Sequence, residues 1–212
     1  EPEILAEELG PFHATFHIPA FLEGGRTTEN RIHYLNGIPV HQTDFGRDNI
    51  FGFTTSDLAK WIEEKSFGKI QMKNILHVEI NQLDMAFNSE DGFKSLVNFL
   101  SKLENNVSVV VDAKLPHHLE ILASAIKLVS KEKRFLFRTA ASFIKSLSEL
   151  QPNPQDTADL VSLKSKNNQL EYKPGLIIVG SHVQLATDQL EVLMKDKLCV
   201  GLEIPVSKLA DI

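Results

Sequence analysis

The runs VSVVVDA (107–113), RFLFRTA (134–140) and GLIIVGS (175–181) are apolar at consecutive positions, not at alternate ones. A strand of that kind is buried on both faces, which points to a mainly parallel sheet covered by helices. The stretches around them carry the matching helical period. In SEDGFKSLVNFLSKLE (89–104), Phe93, Leu96, Val97, Leu100 and Leu103 lie on one stripe. LPHHLEILASAIKLVSKEK (115–133), ASFIKSLSEL (141–150) and the region of ATDQLEVLMKDK read as further helices. HATFHI (13–18), ILHVEI (75–80) and CVGLEI (199–204) read as additional short strands. The expected fold is a three-layer α/β domain over 1–212, with a mainly parallel sheet, helices on both faces and a β-hairpin excursion.

The excursion lies in the first third. Ile32 and Tyr34 alternate before Asn36-Gly37, and Ile38 and Val40 follow it. Asn-Gly is the preferred pair for a two-residue type I′ turn. Pro39 confines its arm to an edge, so the hairpin reads as a flap. EPEILAEELG carries Ile4, Leu5 and Leu9 at helical spacing, stopped by Gly10-Pro11. It reads as the tail of a helix already under way, and the chain as part of something longer. Residues 151–174 are polar with few apolar anchors and read as a mobile or functional segment.

The 212 residues carry a formal net charge of −6, and no basic run stands out. That argues against nucleic acid or an anionic membrane as the partner. No apolar run approaches the length of a membrane span. Cys199 is the single cysteine, so there is no intrachain disulfide and no Cys/His zinc pattern, and a cytoplasmic location is expected. No phosphate-binding P-loop, GxGxxG or GxSxG pattern occurs. His13 and His17 read as ordinary strand residues without HExxH spacing, His117-His118 as solvated surface, and Trp61 as core. No metal site is expected.

Polar residues of chemical use stand where strands end: Asp112 after VVV, Arg138 and Thr139 with Ser142 in the next turn, and Gly180, Ser181 and His182 after IIV. Open α/β sheets bind ligands outside the carboxyl ends of their strands. Gly24-Gly25-Arg26-Thr27-Thr28 follows HATFHI and reads as a loop reaching the same edge. Glycines would let backbone N–H groups approach a ligand, and Arg26 supplies a fork for a carboxylate or phosphoryl group. The set Gly24, Gly25, Arg26, Thr27, Asp112, Arg138 and Ser181 suits a small polyhydroxylated acid. Each member also has a plain structural reading: a helix cap near residue 115 for Asp112, a turn for Ser181, an ion pair for Arg138 and a tight turn for the glycines.

The segment IPAFLEGGRTTENRIHYLNGIPVHQTDFGRD resembles the N-terminal substrate-binding domain of the four-carbon acid sugar kinases. The resemblance runs through Pro19-Ala20-Phe21, Gly24-Gly25-Arg26-Thr27, His33-Tyr34, Gly37-Ile38-Pro39, Thr43-Asp44-Phe45 and Asp48, and continues in VVVDA, FRTAAS and GLIIVGSHV. It implies an ATP-dependent kinase for erythronate-, threonate- or oxo-tetronate-like acids, with ATP and Mg²⁺ held mainly by a C-terminal domain. Gln42 stands where many members carry Glu. The family's DDxTG and DSTLRGH blocks and its nucleotide domain are not in this chain. The implied role is therefore substrate binding, with no catalytic residue named here, no cofactor expected for the chain alone and no phosphorylation by it alone. The contrasting reading is a module of that ancestry that binds a metabolite or protein and catalyses nothing. A sugar acid is the implied partner, and a homo-oligomer stays open.

Overall fold

Val107–Val111, strand β6, is buried on both faces because a parallel neighbour lies on each side and helices lie above and below. The structure, a computed structural model, describes residues 2–47, 52–150, 175–181 and 184–205. Two compact units divide the chain, Glu1–Pro152 and Asn153–Ile212.

In the first unit, strands β1 (Ala14–Ile18), β5 (Leu76–Val78), β6 and β7 (Phe135–Thr139) form one parallel sheet in the order β5-β6-β1-β7. The chain leaves β1, passes through a hairpin and helix α2 (Leu58–Lys65), and enters at the far edge as β5. It returns through α3 (Ile80–Asn88) and α4 (Glu90–Ser101) to β6, then through α5 (Pro116–Val129) past β1 to β7, which α6 (Ala141–Ser148) follows. Helix α1 (Pro2–Leu9) precedes β1.

Strand alternation sorts the two faces. Ala14, Phe16, Ile18, Val109 and Val111 pack with Leu83, Leu96, Leu100, Leu119, Leu122 and Phe143 from α3 to α6. Val110 packs the other way, with Ala59 and Ile62 of α2, Ile75 and half-buried Trp61. Parallel crossovers are right-handed, so the one connection that runs against the others, through α2, covers the opposite face. This is the expected three-layer α/β arrangement with helices on both faces.

The expected single helix from residue 89 is preceded by another. Ser89 takes the Gly92 N–H at 3.0 Å and starts α4, while α3 ends on the same residue. ILHVEI was too apolar to show that helical spacing takes over at Ile80, Leu83 and Ala86. The two helices touch closely enough that a Cβ on Gly92 would stand 2.2 Å from the Met85 carbonyl oxygen.

The hairpin is a three-stranded antiparallel sheet, β2 (Arg26–Glu29), β3 (Ile32–Leu35) and β4 (Ile38–Pro39). Asn36 and Gly37 turn at φ 49° and 80°, the type I′ turn expected, and Pro39 lies on the edge strand. Arg26, Thr27 and Thr28, expected in a loop, belong to β2. The sequence hid this because its turn, Asn30-Arg31, is not a favoured pair, although both residues sit at positive φ, 51° and 67°.

In the second unit, α7 spans Gln184–Leu193. The expected strands at 175–181 and 199–204 do not form: a strand needs a hydrogen-bonded neighbour, and no ladder reaches these residues. Leu176 is 85% and Val200 95% exposed. Residues 151–174, Asp48 and His182 lie outside the described residues. Among the described residues no helix is long and apolar enough to cross a membrane.

Candidate functional site

Beyond the ends of β1 and β6, two isolated bridges tie strand β2 to the segments that follow them. Phe21 and Arg26 exchange backbone hydrogen bonds at 2.9 Å each, and so do Thr28 and Ala113. The GGRTT segment thus lies at the carboxyl edge of the sheet. A second tie fixes its start: the Leu22 N–H donates to Ser142 Oγ at 3.0 Å, and the Ser142 hydroxyl donates to the Glu23 carboxylate. That bond, with Lys145 nearby, holds the Glu23 carboxyl below its usual pKa.

The glycines serve this turn. Gly24 and Gly25 donate their N–H groups to the carbonyls of Phe21 and Leu22, both at 3.1 Å, so they are not aimed at a guest as the sequence suggested. Gly25 sits at φ 69°, and a Cβ there would stand 2.0 Å from Asn36 Oδ1. What the turn presents is Arg26. Its guanidinium lies 5.2 Å from the centre of the Phe21 ring and has no carboxylate partner among the described residues. Partial burial pulls its pKa down. Arg26, Thr28, His33 and Leu35 share one face of the hairpin by register, and Thr27 shares the other with Tyr34. His33 is buried against Thr28, Nδ1 to Oγ1 at 3.1 Å. Burial, with the charge of Arg26 second, lowers its pKa to about 4, so it is neutral at pH 7.

Asp112 does not cap α5. Its carboxylate accepts the N–H groups of Asn30 at 2.8 Å and Arg31 at 3.0 Å, and it is 1% exposed. His77 Nε2 lies 3.0 Å from the same carboxylate without making a hydrogen bond to it. A hollow of about 250 Å³ opens beside Asp112, lined by Glu29, Asn30, Glu79, Asn81 and Asp84 among others. Its carboxylates favour hydroxyl or cationic groups over an acid's own carboxylate.

Arg138 stands on β7 with His17 of β1 and Val110 of β6 in one cross-strand row facing α2. The Arg138 guanidinium lies 4.5 Å from the centre of the Trp61 ring. His17 is 5% exposed, and burial, with Arg138 second, lowers its pKa to about 4. The edge therefore carries two guanidinium–imidazole pairs, Arg26 with His33 and Arg138 with His17. Sequence reasoning missed both histidines. The signal available was a polar residue at each α2-facing position of β1, Thr15 and His17.

Asp84, His117 and His118 bring their ligand-type atoms within 4.8 Å of one another. Both histidine Nε2 atoms lie 3.0 Å from Asp84 Oδ1. His118 Nδ1, however, accepts the N–H groups of Lys114 and Leu115 at 3.1 and 3.3 Å. Its proton is then on Nε2, where it donates to Asp84, and no lone pair is left for a metal. The group is a lock between α3 and α5. His118, expected on the surface, is 1% exposed. Its polarity made it look solvated, yet it satisfies the start of its own helix.

Ser181 lies in the second unit on the extended stretch 175–181. Within the first unit, Arg26, Thr27, Asp112 and Arg138 come to one edge.

A family model described as a sugar-binding N-terminal domain matches residues 1–147. None of the curated proteins matches the chain. Among solved structures, a Haemophilus influenzae protein of a family of unknown function aligns at TM-score 0.52 and 17% identity, over 79% of this chain and 35% of its own. A Salmonella typhimurium LT2 protein, provisionally titled a tRNA synthase, aligns at 0.52 and 18%, over 69% of this chain and 31% of its own. A third, from Bordetella bronchiseptica, is a domain-swapped dimer with bound citrate; it aligns at 0.47 and 19%, over 64% and 28%. The chain spans about a third of the length of each.

Proposed function

Because the chain belongs to the sugar-binding N-terminal domain family of the four-carbon acid sugar kinases, we propose that it binds a small polyhydroxylated acid of the erythronate or threonate type. It would do so as the substrate half of an ATP-dependent kinase working in the cytoplasm. The observation that carries this reading is Arg26: a half-buried guanidinium at the carboxyl edge of the sheet, with no carboxylate of its own among the described residues. A positive charge held partly out of water without a counter-ion favours an anionic guest. The carboxylate of the acid, or the phosphoryl group arriving at it, would pair with Arg26. Hydroxyls would meet the acidic hollow beside Asp112, and Arg138 would offer a second guanidinium along the same edge. ATP and Mg²⁺ belong to a longer enzyme on this reading, and the chain alone binds substrate without turning it over. Titration of D-erythronate and L-threonate into the chain by calorimetry tests it. Saturable binding that sodium chloride at matched ionic strength does not imitate is the expected result, and no heat with either acid would refute it.

A further inference from the structure

His17 is buried, and neither of its ring nitrogens has a hydrogen-bond partner among the described residues. Buried polar atoms in native proteins nearly always have a partner, so such a group asks for one. The residue is the last but one of the central strand β1, at the edge where open α/β sheets take ligands. Arg138 occupies the same row on the neighbouring strand, and Trp61 lies against Arg138. His17 is the buried member of this row and Arg138 the exposed one.

The chemistry of the row selects a guest. With its pKa lowered to about 4 by burial and by Arg138, the imidazole of His17 is neutral at pH 7. It offers one N–H and one lone pair. A carboxylate can only accept and an ammonium can only donate, but a hydroxyl does both. The guanidinium beside it suits a carboxylate. Neighbouring strands stand about 4.8 Å apart, within the span of a hydroxyl and a carboxylate on adjacent carbons. We propose that His17 contacts ligand directly, hydrogen-bonding the 2-hydroxyl of a hydroxy acid whose carboxylate pairs with Arg138. This rests on the sugar-acid reading and adds to it the residue that reads the hydroxyl next to the carboxylate. Arg26 then meets the other end of the molecule, a hydroxyl in the free acid and the phosphoryl group that would be received there.

The test uses the full 212-residue chain labelled with ¹⁵N-histidine, titrated with D-erythronate and with 3,4-dihydroxybutanoate, which lacks only the 2-hydroxyl. Erythronate is expected to shift the His17 ring nitrogens and to bind at least tenfold tighter than the deoxy acid. His17→Phe is expected to erase that tenfold preference while melting no lower than wild type, since it removes an unsatisfied polar group. If it melts lower, the wild-type ring shifts decide alone. Erythronate binding with the His17 nitrogens unmoved, or a preference that survives His17→Phe, overturns the inference: water then serves His17, and the sugar-acid reading stands. Binding of neither acid overturns both.

Discussion

Asp112 accepts the backbone N–H of Arg31 at 3.0 Å, and Arg31 is a non-glycine residue at φ 67°. The same carboxylate takes Asn30, so one buried side chain at the end of β6 holds both residues of a turn that its own sequence disfavours. A left-handed conformation at such a residue is strained and persists where its surroundings over-determine it. Asp112→Ala should therefore destabilise the chain by about 3 kcal/mol or more, from two hydrogen bonds to a charged acceptor. Asp112→Asn should recover only part, because its amide nitrogen cannot accept the second N–H. Urea denaturation of the three proteins gives the comparison; equal midpoints would mean that the turn needs no clamp.

Arg26→Ala should weaken sugar-acid binding by about 1.5–3 kcal/mol, the range for a hydrogen bond to a charged group. The packing on Phe21 adds a stability loss of about 0.5–1 kcal/mol. Arg26→Lys should not restore affinity, since a point charge lacks the fork. Calorimetry with parallel melting curves separates the two effects, and full affinity in the alanine variant would remove Arg26 from the site.

Stability should fall as pH drops from about 6.5 to about 4. His17 and His33 both have folded-state pKa values lowered to about 4 from 6.5. Between those values the unfolded chain binds the protons that the folded chain refuses, so stability rises with pH through this window. Each residue contributes about 3 kcal/mol, present above pH 6.5 and lost by pH 4. His17→Phe should flatten the dependence by about half. A melting temperature constant from pH 7 to pH 4.5 would contradict the burial of both rings.

Gly25→Ala should destabilise the first unit by more than about 1 kcal/mol. The residue sits at positive φ, and the new methyl would meet Asn36. Thermal melting checks this, and a neutral outcome would show that the turn can move away from Asn36.

Purified alone, the chain should release no ADP from ATP in the presence of erythronate, threonate or their oxo forms. Phosphoryl transfer needs nucleotide, Mg²⁺ and a positioned base together, and no phosphate-binding loop is visible in the sequence. Substrate-dependent turnover above a protein-free control would refute this.

The parallel sheet was legible because its strands are buried on both faces, and consecutive apolar residues such as Val109, Val110 and Val111 leave few other folds open. The Asn36-Gly37 turn was legible because local backbone chemistry nearly determines it. What could not be read was set across the chain. Asn30-Arg31 turns only because Asp112, some eighty residues on, accepts its N–H groups. That made β2 look like a loop. His118 looked solvated because its partners, Asp84 and the backbone of Lys114 and Leu115, appear only after folding. Arg26 was singled out from its neighbours in sequence, as a loop residue, and the structure puts it on β2. His17 and His33 were not: the polar alternation of Thr15 and His17 in β1 was the one signal for the first, and the burial of His33 follows only from the folded hairpin.

Thr28 and Ala113 bond each other reciprocally, so the hairpin, a sheet of its own, is tied by its backbone to the segment that follows β6. A wall that stands before its guest arrives has little ordering entropy left to lose on binding. On the proposed reading, selection at Arg26 would work as a rigid mould does: a guest of the wrong length or charge would be refused at the rim, not wrapped and tested by closure.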